Sequence, residues 1–301
     1  MTPPLEQSLL TLLRNHPSGG GPWEGRLTAS ALSTAVAAFA LHCQAPAEHA
    51  GLAGQALAWL ADHANPDGGW GDTINSESNL STTLLCRAAL SCSDAFRLTA
   101  ARQNAEAWII RRTGSRAPAA VAAAIRECYG HDRTFSAPIL TMCALAGCLG
   151  PEPDAWRLVP QLPFELAALP AQLYRSAKLP MVSYALPALI AMGLARHHHH
   201  PGRAGMRSWL RHRLTPRLLD KIMERQPASG GFLEAAPLTA FVAMALGAAG
   251  AGEHPVTRRA IGFLAATIRP DGSWPIDTNL KTWVTTQARR SAGNGELRRH
   301  P

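Results

Sequence analysis

The side chains able to do chemistry are few and scattered. Aspartates stand at 62, 67, 72, 94, 132, 154, 220, 271 and 277. None of them forms an Asp-Asp-x-x-Asp cluster, the arrangement whose carboxylate oxygens hold Mg²⁺ and a diphosphate. Asp277 has the most suggestive setting: Trp274-Pro275-Ile276-Asp277-Thr278 places an acid at a turn just before a helix. It is the candidate catalytic acid of this chain, and in the plainer reading a helix N-terminal charge favoured by the dipole. His197 to His200 invite a metal, yet four adjacent side chains on a helix end point in different directions and cannot all reach one ion. They read as a polar helix end, and no metal and no other cofactor is expected. Arg203, Arg207 and Arg211 recur at i, i+4 and i+8 and share one helix face. With Arg213, Arg217 and the Pro-broken apolar stretch 173–194, they could build a patch that contacts a membrane surface. A solvated basic helix beside a buried core segment is the other reading.

Composition narrows the classes. The 301 residues are 47% hydrophobic with only 6% aromatic, and most of the eight Trp fall at repeated positions. That suits close-packed helices better than a β-sandwich. The net charge of +8 fits an anionic membrane surface, nucleic acid or a diphosphate. The chain has no aromatic-interleaved basic strand and no recognisable DNA-reading helix, so nucleic acid is not expected as a partner. The six cysteines, Cys43, Cys86, Cys92, Cys128, Cys143 and Cys148, lie mostly in apolar helical runs. They read as small buried hydrophobes in a reducing compartment rather than as a disulfide framework or zinc site. Met1 to Leu13 lacks a basic region followed by an apolar one, and no run reaches about 18 uninterrupted apolar residues, so neither a signal peptide nor a spanning helix is expected. A cytoplasmic location follows, with peripheral attachment to the membrane's cytoplasmic face as the variant.

The elements that must position these residues are written as a repeat. Asn65-Pro66-Asp67-Gly68-Gly69-Trp70 returns as Arg269-Pro270-Asp271-Gly272-Ser273-Trp274. Each follows an apolar helical stretch and leads into a helix that opens Asn79-Leu80-Ser81-Thr82-Thr83 or Asn279-Leu280-Lys281-Thr282-Trp283. Pro ends the first helix, Asp turns the backbone through its own side chain, and Gly supplies φ > 0. Trp can fold back over the helix end, its N–H bonding a loop carbonyl. Asn79 and Asn279 stand where an N-cap belongs. Asp67, Gly68, Trp70, Asp271, Gly272 and Trp274 are therefore read as structural turn residues. Looser copies are Gly20-Gly21-Pro22-Trp23 before Ala31-Leu32-Ser33-Thr34, and Ser229-Gly230-Gly231-Phe232 before Pro237-Leu238-Thr239-Ala240. Helical hairpins repeating at roughly 40 residues cannot bury their apolar faces singly and must stack or close into an array.

The remaining elements read as helices at 5–13, 29–42, 51–63, 80–90, 94–113, 117–129 and 135–149. Residues 151–170 read as irregular, 173–194 as a helix kinked or broken at Pro180 and Pro187, and 203–226, 241–249 and 255–267 as helices.

This pattern resembles the repeat shared by squalene–hopene cyclases, related terpene cyclases and protein prenyltransferase β-subunits. Leu162-Pro163-Phe164-Glu165-Leu166 through Leu169-Pro170, then Lys178-Leu179-Pro180-Met181-Val182-Ser183-Tyr184 and Leu186-Pro187-Ala188-Leu189, is similar to the N-terminal half of squalene–hopene cyclases. The resemblance covers most of residues 50–288. It implies an all-α fold, an α/α toroid of helical hairpins, with an N-terminal segment 1–22, the toroid domain 23–288 and a basic tail 289–301. The implied reaction is acid-initiated polyene cyclisation, an intramolecular isomerisation in triterpenoid (hopanoid-type) biosynthesis that needs no cofactor. The family's Asp-x-Asp-Asp acid motif is absent, and at Asp277 the family's preceding tryptophan is replaced by Ile276. The prenyltransferase zinc ligands, an Asp closely followed by Cys with a His further on, are not found. A cyclase-like domain that does not react alone is therefore expected, with squalene or another polyprenyl molecule as ligand and a C-terminal-half cyclase chain as partner. The alternative is a non-catalytic isoprenoid-binding or scaffold protein on the same toroid.

Overall fold

The computed structural model describes residues 25–130, 132–169, 185–202, 205–281 and 283–287. The expected helix at 5–13, Trp23, Arg203, Pro180 and the tail 289–301 lie outside the described residues. The fold is all-α: α1 (Ala31–Gln44), α2 (Pro46–Asp62), α3 (Leu80–Leu90), α4 (Phe96–Thr113), α5 (Pro118–Tyr129), α6 (Arg133–Leu145), the short α7 (Asp154–Leu158), α8 (Leu186–His199), α9 (Met206–Met223), α10 (Ala236–Leu246) and α11 (Pro255–Thr267). Single turns of tighter helix occur at Phe164–Ala168 and Phe232–Glu234, and a wider one at Gly247–Ala251. Residues 28–276 form one compact unit, and the described residues 25–27 and 277–287 belong to a second.

Two readings of proline and loop change. Residues 151–170 are not wholly irregular, because they hold α7 and the Phe164–Ala168 turn. Pro187 does not break a helix. It sits in the first turn of α8, where its missing N–H costs nothing, and so marks the start of α8.

Within residues 28–276, α1 packs on α3, α3 on α6, α6 on α8, α8 on α10, and α10 back on α1. The helices between them in sequence lie against this circuit: α2 on α1 and α4, α4 on α3, α5 on α6, α11 on α10 and α1. The two sets differ as their sequences require. Ala35 to Leu41 of α1 are each no more than 2% exposed, so that helix is apolar all round and enclosed all round. α4 buries one stripe, Leu98, Ala101, Ala105, Trp108 and Ile109, and is polar elsewhere.

One clasp joins turn to helix and occurs at three places. The Trp70 N–H donates to Thr83 Oγ1 at 3.0 Å, and its carbonyl accepts from the N-cap Asn79 N–H at 3.0 Å. The Phe232 N–H donates to Thr239 Oγ1 at 2.9 Å, and its carbonyl accepts from the Ala235 N–H at 3.0 Å. The third clasp corrects the expected pairing. Trp274 does not serve the helix that follows it. Its N–H donates to Thr34 Oγ1 at 3.0 Å, and its carbonyl accepts from the N-cap Ser30 N–H at 2.9 Å. The last turn thus opens the first helix, 240 residues earlier in the chain. Both indoles fold back as expected, Trp70 Nε1 donating to the Leu60 carbonyl and Trp274 Nε1 to the Leu264 carbonyl, each at 3.0 Å.

Glycine is required in each turn. Gly68, Gly230 and Gly272 have φ of 88°, 88° and 87°, a region closed to most side chains. Each faces a backbone carbonyl of another helix. A Cβ on Gly68 would lie 3.1 Å from the Asn104 oxygen of α4 and one on Gly272 2.9 Å from the Gln55 oxygen of α2, while one on Gly230 would come still closer to the Arg259 oxygen of α11.

Replacing a clasp threonine by valine keeps its shape and orphans a buried N–H. Thr83→Val and Thr34→Val are each expected to lower unfolding stability by about 1–3 kcal/mol in urea denaturation. If Thr34→Val changed stability by less than about 0.5 kcal/mol while Thr83→Val cost its full amount, the third clasp would not be equivalent to the first.

Candidate functional site

The turn aspartates are occupied with structure. Asp67 Oδ1 accepts from the Gly69 N–H at 3.0 Å and from Ser78 Oγ at 2.7 Å, and Oδ2 accepts from Trp108 Nε1 at 2.8 Å. Arg111 adds a bond to the Asp67 carbonyl at 2.7 Å. Burial pushes the carboxyl up, but these donors outweigh it and hold Asp67 below the usual carboxylate range. Asp271 repeats the pattern with Ser273, whose N–H and hydroxyl both bond Oδ1, and it too is held low against the effect of burial. Neither acid is placed to give up a proton at neutral pH.

Asp277 behaves oppositely. It is half-buried in the second unit, and burial alone raises its carboxyl above the usual range. That is the direction a proton donor needs. Asn279 accepts from the Lys281 N–H at 3.1 Å, as a residue opening a helix should, and 281 and 283–287 are helical.

The sequence-predicted basic face is corrected. Arg211 is 6% exposed and turns inward, where its Nε and Nη2 meet the two oxygens of Glu165 at 3.0 and 3.1 Å. Arg207 Nε joins the same carboxylate at 2.9 Å. Lys221 Nζ donates to the Ala167 carbonyl at 2.7 Å, so α9 is stitched along the whole Phe164–Ala168 turn. Arg207, Arg213 and Arg217 remain exposed, and Arg211 is the described member of that face that turns inward. The Arg211 guanidinium also lies 5.2 Å over the Phe164 ring. Glu165 was missed as a functional residue in the sequence; its signal was a single acid inside an apolar, proline-bounded stretch.

The histidine run diverges as expected of consecutive helical positions. His197 is buried against Phe164, with ring centroids 6.0 Å apart. His199 stacks flat on Trp156 at 4.3 Å and points Nδ1 at Glu152 at 3.2 Å. Burial, then the neighbouring Arg211, hold His197 below the usual imidazole range, with Glu165 opposing. Among the described residues no three His, Cys, Asp or Glu side chains are grouped to hold a metal ion. The cysteines are less uniform than their sequence suggests. Cys86 and Cys143 are buried, whereas Cys43 and Cys128, near helix C-termini, are exposed. No helix of the described residues is long and apolar enough to cross a membrane.

No family model and no curated protein matches this chain. A crystal structure of a protein from Actinoplanes is aligned over 96% of this chain and 99% of its own, at 19% identity and a TM-score of 0.39. At that TM-score the likeness carries nothing about fold or activity.

Glu165 titrates below its unfolded value, so its contribution is complete above the ordinary carboxylate range and is lost as pH falls through the folded value. Burial opposes this lowering; Arg211 and Arg207 produce it. Glu165→Gln is expected to cost about 2–4 kcal/mol at pH 7, because Arg211 is left buried beside a neutral amide. The gap to wild type should shrink below pH of about 4, measured by urea denaturation across pH. A gap that stays constant with pH would assign the loss to packing instead.

Proposed function

We propose that residues 28–276 form an α/α toroid of the squalene–hopene-cyclase type, with α1, α3, α6, α8 and α10 as its inner ring. In this reading it is a terpene-cyclase-like domain that works with an acid-bearing cyclase half on squalene or another polyprenyl molecule and does not start the reaction itself. The observation that carries the reading is the clasp repeated at Trp70, Phe232 and Trp274, whose third copy returns to Thr34 of α1. A Trp274 turn that serves α1 supports a ring of hairpins.

Two features support the lack of independent activity. Alkene protonation calls for an acid made strong by its neighbours, and the 301 residues hold no Asp-x-Asp-Asp. The described helices are also closely packed: Ala35 to Leu41 are enclosed on every side, and α6 reaches α10 across the circuit. A polyene folding toward product needs open, dry volume at that place. The same close packing favours the scaffold form of the second reading, a scaffold or isoprenoid-binding protein with no part in catalysis.

The test is incubation of the purified chain with squalene and shorter polyprenyl substrates, with extracts read by mass spectrometry. Unreacted substrate is the expected result. Cyclic products, abolished by Asp277→Asn, would overturn it and make Asp277 the initiating acid. Gel filtration with labelled squalene divides the second reading: an isoprenoid-binding protein retains it, and a scaffold without an isoprenoid site retains none.

A further inference from the structure

Between the C-terminal half of α8 and the middle of α9 lies a groove of about 450 Å³ that the cyclase reading does not use. Helical spacing builds both walls. Leu194, His197 and His198 fall at i, i+3 and i+4 on α8, and Ser208, His212 and Thr215 fall at i, i+4 and i+7 on α9. Trp209, Pro201 and Ala249 complete the lining. The volume is that of a small-molecule site.

We infer that this groove binds a small amphiphilic anion: an apolar body lying along Trp209, Leu194 and Ala249, with its carboxylate, phosphate or sulfonate toward Arg213 at the rim. Among the described residues the lining contains imidazoles, hydroxyls, an indole and aliphatic carbons, and no carboxylate. Trp209 is 61% exposed, an unusual cost for so large an apolar ring, and the Arg213 guanidinium lies 5.7 Å over it. That cation sits at the edge of the aromatic wall and is itself exposed. Behind the groove, one carboxylate, Glu165, is shared by Arg207 and Arg211, so the surrounding charge is positive in excess. An anion fits this field and a cation does not. The inference stands on the groove alone and is independent of the proposed toroid function.

The experiment titrates the full chain with 1-anilinonaphthalene-8-sulfonate and, separately, with uncharged 1-anilinonaphthalene, read by dye fluorescence. Saturable binding of the sulfonate is expected, with weaker binding of the uncharged dye and loss of affinity as salt is raised. Ser208→Trp fills the groove and should weaken the sulfonate at least about tenfold, its helix content and melting curve being checked by circular dichroism. Arg213→Gln, at an exposed position that leaves the fold intact, should weaken it about threefold, and Arg225→Gln not at all. Equal binding of both dyes, unchanged binding in Ser208→Trp and Arg213→Gln, or no saturable binding would each overturn the inference.

Discussion

An amide N–H next to a bulky aromatic, buried in a turn, must find an acceptor or cost about 1–3 kcal/mol. In this protein the acceptor is a threonine hydroxyl four residues past the N-cap of an inner helix. Thr83, Thr239 and Thr34 fill that place, and the aromatic carbonyl returns a bond to the N-cap N–H. The turn and the helix start thereby satisfy each other. The glycine in the turn then allows close approach to another helix, at Asn104, Arg259 and Gln55 respectively. One small motif fixes three elements at once, and the rest of the packing follows from its repetition.

That dependence explains where reactivity is absent. Asp67 and Asp271 are turn residues: their oxygens complete the turns, and the donors around them hold both carboxyls below the usual range. Helix α1 owes its close packing to alanine, whose small side chain lets helices approach. On α8 and α9, Glu165 gathers Arg207 and Arg211, and His198, Trp209 and His212 line a groove.

Helix positions were legible because their signals are local. Leu80–Leu90 and Pro255–Thr267 stand where periodicity, caps and proline put them. The partner of Trp274 was not legible from its neighbourhood, since Asn279 and the helix after it imitate the expected continuation. The clue lay far away: Ser30-Ala31-Leu32-Ser33-Thr34 repeats the N-cap-to-threonine spacing of Asn79-Leu80-Ser81-Thr82-Thr83. Only closure of the circuit brings that pattern to Trp274. Arg211 misled for a related reason. Its spacing gives a face, but the face's environment is set by Glu165, 46 residues away in the chain.

The account rests on Trp274 and Ser30 belonging to the same cooperative unit as Trp70 and Asn79. Native-state hydrogen exchange, resolved at single amides, measures this directly. The Ser30 and Trp274 amides should open with the same free energy as those of Asn79 and Trp70, near the global unfolding value. If Ser30 and Trp274 instead exchange rapidly through local fraying while Asn79 and Trp70 stay protected, the first and last turns are not joined as described, and the closed circuit fails.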